Sequence, residues 1–335
     1  MEAEGRKRIA PTVMNAVFVY DCSGWALHRK YVRLAPYFVD LHSEGRSVFP
    51  DLARARQGLA GSPPPLPPAD AYVFLSWYWC HVYMVERMLP ARGRVIAMVA
   101  SDYDFGLSSL RFDAVRARAD LVFTQSLQCL SAHPDTVFLP NPADEADWAR
   151  PPRPFRHVRH RPFRLGMVAN GMTHSGGDHK GVALARQIVE RLAPACELSV
   201  AGTDRPYAFD EMAGFYASID ALLILSRSEG FTPVASEALL NGVPVISTPV
   251  VPLEPFLGTS CYYRLPARDA ADADTYARLL AGYMRQIAAD PVTVRRKYMH
   301  ARRRIDAWRA PRIARRLETA ILGLASLRPK AGTPL

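Results

Sequence analysis

Two carboxylates eight positions apart carry the clearest chemical signal in this sequence. Ser226–Ser247 reads SRSEGFTPVASEALLNGVPVIS and follows the apolar run Ala221–Leu225. In an α/β domain, the end of a buried strand is the rim at which ligands bind. Thr232 is a helix N-cap type and Pro233 suits the first helical position. The spacing therefore predicts a helix running to about Asn241, with Gly242 left-handed after it. A helix tip offers N–H groups without intrahelical partners and a partial positive charge, which suits a phosphate. Glu229 lies in the loop before the tip and Glu237 one turn inside the helix. So placed, they would hold hydroxyls at the two ends of an extended ligand, with a diphosphate between them over the amides.

The elements that must position this segment follow a strand–helix rhythm. Val13–Asp21 and Ala71–Trp77 read as buried strands, as do Arg94–Ala100, Leu121–Gln125 and Val137–Leu139. Phe112–Ala119 reads as a helix. Pro-rich Ser62–Pro68 is a surface loop. The Pro- and Arg-rich stretch Pro140–Pro162 breaks the rhythm. It restarts with Arg164–Ala169, an amphipathic helix over Gly181–Leu192 and the strand Glu197–Ala201. Val243–Ser247 is a further strand, and the pattern is helical from Asp269 to about Leu324. The expected domains are residues 1–150, a linker at 151–163, a second domain at 164–300 and a basic helix and tail at 301–335. No repeat with a period of 20 to 50 residues is present.

Composition sets the outer bounds. The 335 residues are 49% hydrophobic and 22% charged, ordinary values for a globular chain long enough for two domains. The longest strongly apolar stretch, Ala71–Cys80, is half the length of a membrane-spanning helix. The five cysteines are scattered and form no CxxC pair, so they read as reduced, buried thiols. The N-terminal MEAEGRKRIAP lacks the apolar segment of a signal peptide. Together these lead us to expect a cytoplasmic protein. The net charge of +10 is uneven. Residues 150–164 hold six arginines and no acid, and residues 290–335 hold twelve Lys/Arg against three Asp/Glu. Such segments suit an anionic membrane surface or nucleic acid, or are simply solvated.

The segment Glu229–Glu237 (EGFTPVASE) resembles the E-x7-E motif of retaining glycosyltransferases, especially glycosyltransferase family 4 (glycosyl transferases group 1). Its flanks Phe215–Asp220 (FYASID) and Ala238–Pro249 (ALLNGVPVISTP) are similar as well. So are Ala119–Gln125 (ADLVFTQ) with Leu139–Pro142 (LPNP), and His179-Lys180-Gly181 before a helix. The likeness covers about Arg111 to Pro249. The resemblance implies the GT-B fold: two Rossmann-like, doubly wound α/β domains facing across a cleft, with the C-terminal helix crossing back. It also implies a nucleotide-sugar donor held mainly by the C-terminal domain. Glu237 would hold the ribose, and Glu229 hydroxyls of the transferred sugar. Backbone at Gly230, Phe231, Thr232 and next to Pro233 would line sugar and phosphates. Lys180 would neutralise the leaving diphosphate, whose charge grows in the transition state.

The sequence departs from the family in three places. The arginine that usually partners Lys180 is absent. Ala169-Asn170-Gly171 stands there, and the longer loop holds His174, Gly176, Gly177 and His179, leaving backbone amides, Arg205 or Arg227 as substitutes. Only thirteen residues separate Gly202 from Tyr216, where the family fits a further strand and helix that read the base; Gly202 and Tyr207 are the donor-side candidates there, Tyr207 as a stacking residue. The N-terminal domain is short. In it, Gly24 at the first strand-to-helix turn would allow close approach of a diphosphate or acceptor, and Asp102 is a candidate acceptor contact. Asp102-Tyr103-Asp104 also matches the metal-holding DxD of the GT-A fold. GT-B enzymes ordinarily work without metal, so we read the match as coincidence and expect no metal or other cofactor. The cluster Trp77, Tyr78, Trp79, His81 and Tyr83 reads as core and cleft wall, with sugar or base stacking as the other possibility.

The reading is therefore transfer of a sugar from a nucleotide diphosphate to an acceptor hydroxyl with retention, retention being implied by the resemblance. A glycan or lipid-linked saccharide is the expected acceptor, at the inner membrane face if the basic tail meets anionic lipid. The alternatives are a phage-type DNA glycosyltransferase acting on a hydroxymethylated base, a nucleotide-sugar epimerase of related fold, and a non-catalytic sugar-nucleotide binder.

Overall fold

The computed structural model describes residues 13–23, 26–49, 62–101, 105–106, 109–155, 161–169, 178–208 and 210–326. Gly24, Asp102, Asp104, His174, Gly176 and Gly177 lie outside them. Contacts divide the chain into a first unit, Met1–Pro140 with Ala310–Leu335, and a second, Asn141–Arg309.

The first unit alternates β1 (Met14–Tyr20), α1 (Ala26–Leu34), β2 (Leu41–Ser47), β3 (Ala71–Phe74), α2 (Trp77–Val85), β4 (Arg94–Val99), α3 (Ser109–Arg118), β5 (Leu121–Thr124), α4 (Leu127–Ala132) and β6 (Val137–Phe138). The strands pair in parallel in the order β2-β1-β3-β4-β5-β6. The inner strands β3 and β4 are buried along their whole length, as a parallel sheet covered on both faces requires. Strand β2 was not expected from its polar sequence LHSEGRS. It is an edge strand whose seven residues pair with β1, from Met14↔Leu41 to Tyr20↔Ser47. An edge strand keeps polar side chains on its solvent side. The expected strand Ala71–Trp77 stops at Phe74. Ser76 accepts from the Tyr78 amide at 3.3 Å and caps a helix that begins at Trp77.

The second unit holds α5 (Glu145–Ala149), β7 (Phe163–Val168), α6 (Val182–Leu192), β8 (Cys196–Ala201), α7 (Met212–Ser218), β9 (Ala221–Ile224), α8 (Pro233–Leu240), β10 (Val245–Ser247), β11 (Tyr263–Arg264), α9 (Ala273–Ala289) and α10 (Pro291–Ile305). Its strands lie in the order β11-β10-β9-β7-β8, again parallel. Leu165, Met167 and Leu223 from the sheet pack against Ala185 and Ile188 of α6 and Leu280 of α9. Residues 141–150, expected with the N-terminal domain, group with this unit. Asn141 Nδ2 donates to the Phe231 carbonyl at 2.6 Å, and Ala143 bridges to Arg309.

Helix α11 (Ala310–Gly323) belongs to the first unit, so the chain does cross back. Ile313, Leu317 and Ile321 are buried. The buried carboxylate of Glu318 accepts the amides of Val39 at 2.6 Å and Asp40 at 2.7 Å. No helix among the described residues is long and apolar enough to cross a membrane.

The two basic segments are not simply free patches, because several of their cations have internal partners. Arg153 donates to the carbonyls of Ile219, Asp220 (2.8 Å) and Gly242 (3.3 Å). Arg161 grips both oxygens of buried Asp220, at 2.8 and 2.7 Å. Lys297 donates to the carbonyls of Thr259 and Tyr262, Arg304 to that of Phe256, and Arg309 to both oxygens of Glu145. The guanidinium groups of Arg302 and Arg309 lie over the Trp148 ring, 4.2 and 4.7 Å from its centroid. Charge counting along a sequence misses such commitments because each partner comes from a distant segment. An exposed stripe remains on α10, made of Val292, Arg295, Arg296, Met299 and Arg303.

Candidate functional site

Sheet order fixes where the second unit can bind a ligand. From β7 the chain moves to β8 on one side; from β9 it moves to β10 and β11 on the other. Connections leaving the C-terminal ends of β7 and β9 therefore diverge, and a crevice opens between them. Residues 178–181 come from the first of these connections, and residues 226–232 from the second.

The two connections meet through side chains. Lys180 Nζ lies 2.5 Å from Glu229 Oε1, and Ser226 Oγ donates to that same oxygen at 2.5 Å. Glu229 Oε2 has no hydrogen bond among the described residues. One carboxylate oxygen is thus fixed by the protein. The Lys180 side chain is about a third exposed (38%), so its ammonium remains accessible. Gly181 makes this approach possible. Its φ is +83°, and a Cβ there would stand 2.6 Å from Leu225 Cβ and 2.7 Å from the Leu225 carbonyl oxygen. The turn is further tied down by His179, whose Nε2 lies 2.9 Å from the Ser228 carbonyl and whose own carbonyl accepts from the Arg227 amide at 3.2 Å.

Helix α8 begins after Thr232 as expected, with Pro233 at its first position and Gly242 at φ +75° beyond its end. The Thr232 side chain makes no capping bond, and its amide donates to the Val251 carbonyl at 3.3 Å. Val234 and Ala235, next along the helix, have no amide partner within it. Glu237 is buried and accepts from the Tyr216 hydroxyl at 2.8 Å. Gly230 and Phe231 are buried too. The Phe231 ring packs on Trp308 and Phe256, with centroids 5.2 and 5.8 Å away. Its side chain is therefore core, and only its backbone is a candidate to meet a ligand.

The remaining candidates have partners of their own. Gly202 (φ +92°) turns the chain after β8, and its amide donates to the Arg205 carbonyl at 2.7 Å. Tyr207 is half-buried against Phe215, with Arg205 over its ring at 5.0 Å. Arg227 points to Asp269, 3.3 Å away. Among the described residues neither arginine side chain pairs with Glu229 or Lys180. Sequence reasoning missed three contributors: Ser226, Asp178, and Arg268, whose guanidinium reaches back to residues 178 and 179. Tyr216, within the FYASID segment, carries no sign in the sequence of its bond to Glu237. Only Asp178 had a local signal, as an acid just ahead of a helix.

In the first unit the same topological rule points to the ends of β1 and β3. Asp21 stands there. Its Oδ1 accepts the Cys22 amide at 2.8 Å, and burial pushes its carboxyl up to about 6.

No protein-family model matches the sequence, and no curated protein matches it. Solved structures do match over nearly the whole chain. HepE of Anabaena in complex with UDP-glucose shares 14% identity at a TM-score of 0.65, covering 93% of this chain and 100% of that one. Sucrose-phosphate synthase from Thermosynechococcus elongatus shares 13% at 0.65, over 94% and 100%. A glycosyltransferase from Rickettsia africae shares 10% at 0.64, over 94% and 99%. The chain therefore has the two-domain GT-B fold of these glycosyltransferases.

Proposed function

We propose that this chain is a retaining glycosyltransferase that moves a sugar from a nucleotide diphosphate to an acceptor hydroxyl. The observation that carries the reading is the junction of Lys180, Ser226 and Glu229 at the second unit's switch point, beside the tip of α8. A cation, a carboxylate and a helix tip form a set suited to a diphosphate joined to a polyol. Fold neighbours that bind UDP and UDP-glucose support the donor class.

In this reading Glu237, held by Tyr216, takes the ribose hydroxyls, and Glu229 Oε2 takes a hydroxyl of the sugar. Lys180 turns from Glu229 toward the diphosphate and stabilises its growing charge. The bond from the anomeric carbon to the phosphate oxygen breaks and the bond to the acceptor oxygen forms. The acceptor proton passes to the departing phosphate oxygen. Retention rests on the motif's resemblance, and the reaction requires no metal.

A glycan or lipid-linked saccharide is the acceptor we assign. The basic stripe with Val292 and Met299 on α10 supports approach to an anionic lipid surface. The internal commitments of Arg153, Arg161, Arg302 and Arg309 reduce the case for DNA. The test is a thermal-shift panel of UDP, GDP and ADP, followed by turnover of the matching sugar donors with mixed acceptors. Stabilisation by one diphosphate and transfer with α-product from an α-donor are expected. Epimerised donor, or saturable binding without turnover, would refute the assignment.

A further inference from the structure

Lys180 carries most of the proposed chemistry, and Gly181 fixes its turn only on the C-terminal side. What holds the other side comes from ninety residues further along the chain. The Arg268 side chain, only 7% exposed, enters from the connection between β11 and α9. Its guanidinium donates to the carbonyls of Asp178 and His179 (2.9 Å) and to Asp178 Oδ2 at 2.9 Å. Asp178 in turn accepts the amides of Val182 (2.7 Å), Ala183 (3.1 Å) and Leu184 (3.4 Å), closing the first turn of α6.

This arrangement does two things. The Asp178 carboxylate occupies the tip of α6, so those amides are taken and Lys180 is the cation that this turn presents among the described residues. The planar Arg268 fork holds two successive carbonyls and a carboxylate at once, a geometry an ammonium could not reproduce. It fixes the backbone on the N-terminal side of Lys180, while Gly181, pressed against Leu225, fixes the other side. Arg268 itself is neutralised by Asp178 and turned toward the protein.

We propose that Arg268, acting through Asp178, is the positioning residue that aims Lys180 at the donor diphosphate. This rests on the reading of Lys180 given above. The test is calorimetric titration of the full chain and its Arg268→Ala, Lys180→Ala and double variants with UDP, GDP and ADP, and with the nucleoside of whichever binds. Each single variant should weaken the diphosphate about tenfold, and the double variant no further, because both changes remove one interaction. Affinity for the nucleoside should not move. Losses that multiply in the double variant, or equal weakening of the nucleoside, would overturn the positioning role and leave the donor site standing. If wild-type protein binds none of the three diphosphates, the donor reading falls and the positioning role with it. Should Arg268→Ala fail to fold, Arg268→Lys serves: it should weaken the diphosphate alone, and wild-type affinity in that variant would overturn the proposal.

Discussion

The Tyr216 hydroxyl donates to Glu237 Oε2 at 2.8 Å, with both residues buried. A carboxylate withdrawn from water in this way is held in one orientation by its donor rather than left to swing. Removing the phenol should therefore affect both stability and nucleoside recognition. Tyr216→Phe should destabilise the protein by about 1 kcal/mol or more in chemical denaturation, the cost of losing one buried hydrogen bond to a charged group. It should also weaken uridine or the matching nucleoside. Glu237→Ala should abolish stabilisation by the nucleotide altogether; unchanged stabilisation would refute the ribose assignment.

Lys180 and Glu229 share one contact but are assigned different ends of the donor. Lys180→Ala should lower kcat by about 10²-fold, the scale of losing one charge-stabilising donor, with KM changing much less. Equal losses in the two parameters would mean that Lys180 binds ground and transition states alike. Glu229→Gln should instead raise KM for the sugar donor while leaving UDP affinity near wild type.

Gly181 has a φ of +83° and no room for a Cβ between itself and Leu225. Gly181→Ala should cost about 2–4 kcal/mol, combining left-handed strain with overpacking. Because the strain falls one residue from Lys180, diphosphate affinity measured on the remaining folded fraction should fall as well. Gly282, around which a Cβ would meet nothing within 4 Å, is the control position.

Burial raises the Asp21 carboxyl from its ordinary value of 3.8 to about 6, partly offset by the Cys22 amide. The folded state thus binds the proton more tightly than the unfolded chain. The Asp21 contribution to stability should be most favourable below pH 4, fall as pH rises between about 4 and 6, and level off above. The full change is about 3 kcal/mol at 1.36 kcal/mol per pKa unit. Asp21→Asn should remove this slope and gain up to that amount at pH 7.5, but nothing at pH 3.5. Urea unfolding across the pH range would measure it, and parallel slopes in the two proteins would contradict it.

The amino-acid sequence by itself determined the parts of this protein that depend on neighbours in the chain. Alternating apolar runs specify the parallel strands, and Thr232-Pro233 with Gly242 delimits α8. The spacing of Glu229 and Glu237 marks that helix tip as the place for a polar ligand. These signals are local because strand and helix periods and capping act over a few residues. Strand β2 escaped notice because an edge strand buries too little to show an apolar pattern. Tertiary structure alone decided which charges are spent and which are available. Arg161 meets Asp220 across 59 positions, and Arg268 meets Asp178 across 90. A guanidinium reads the same in sequence whether it faces water or clamps two carbonyls. Its role is set by the desolvated partner that folding brings to it, and no short-range pattern encodes that meeting.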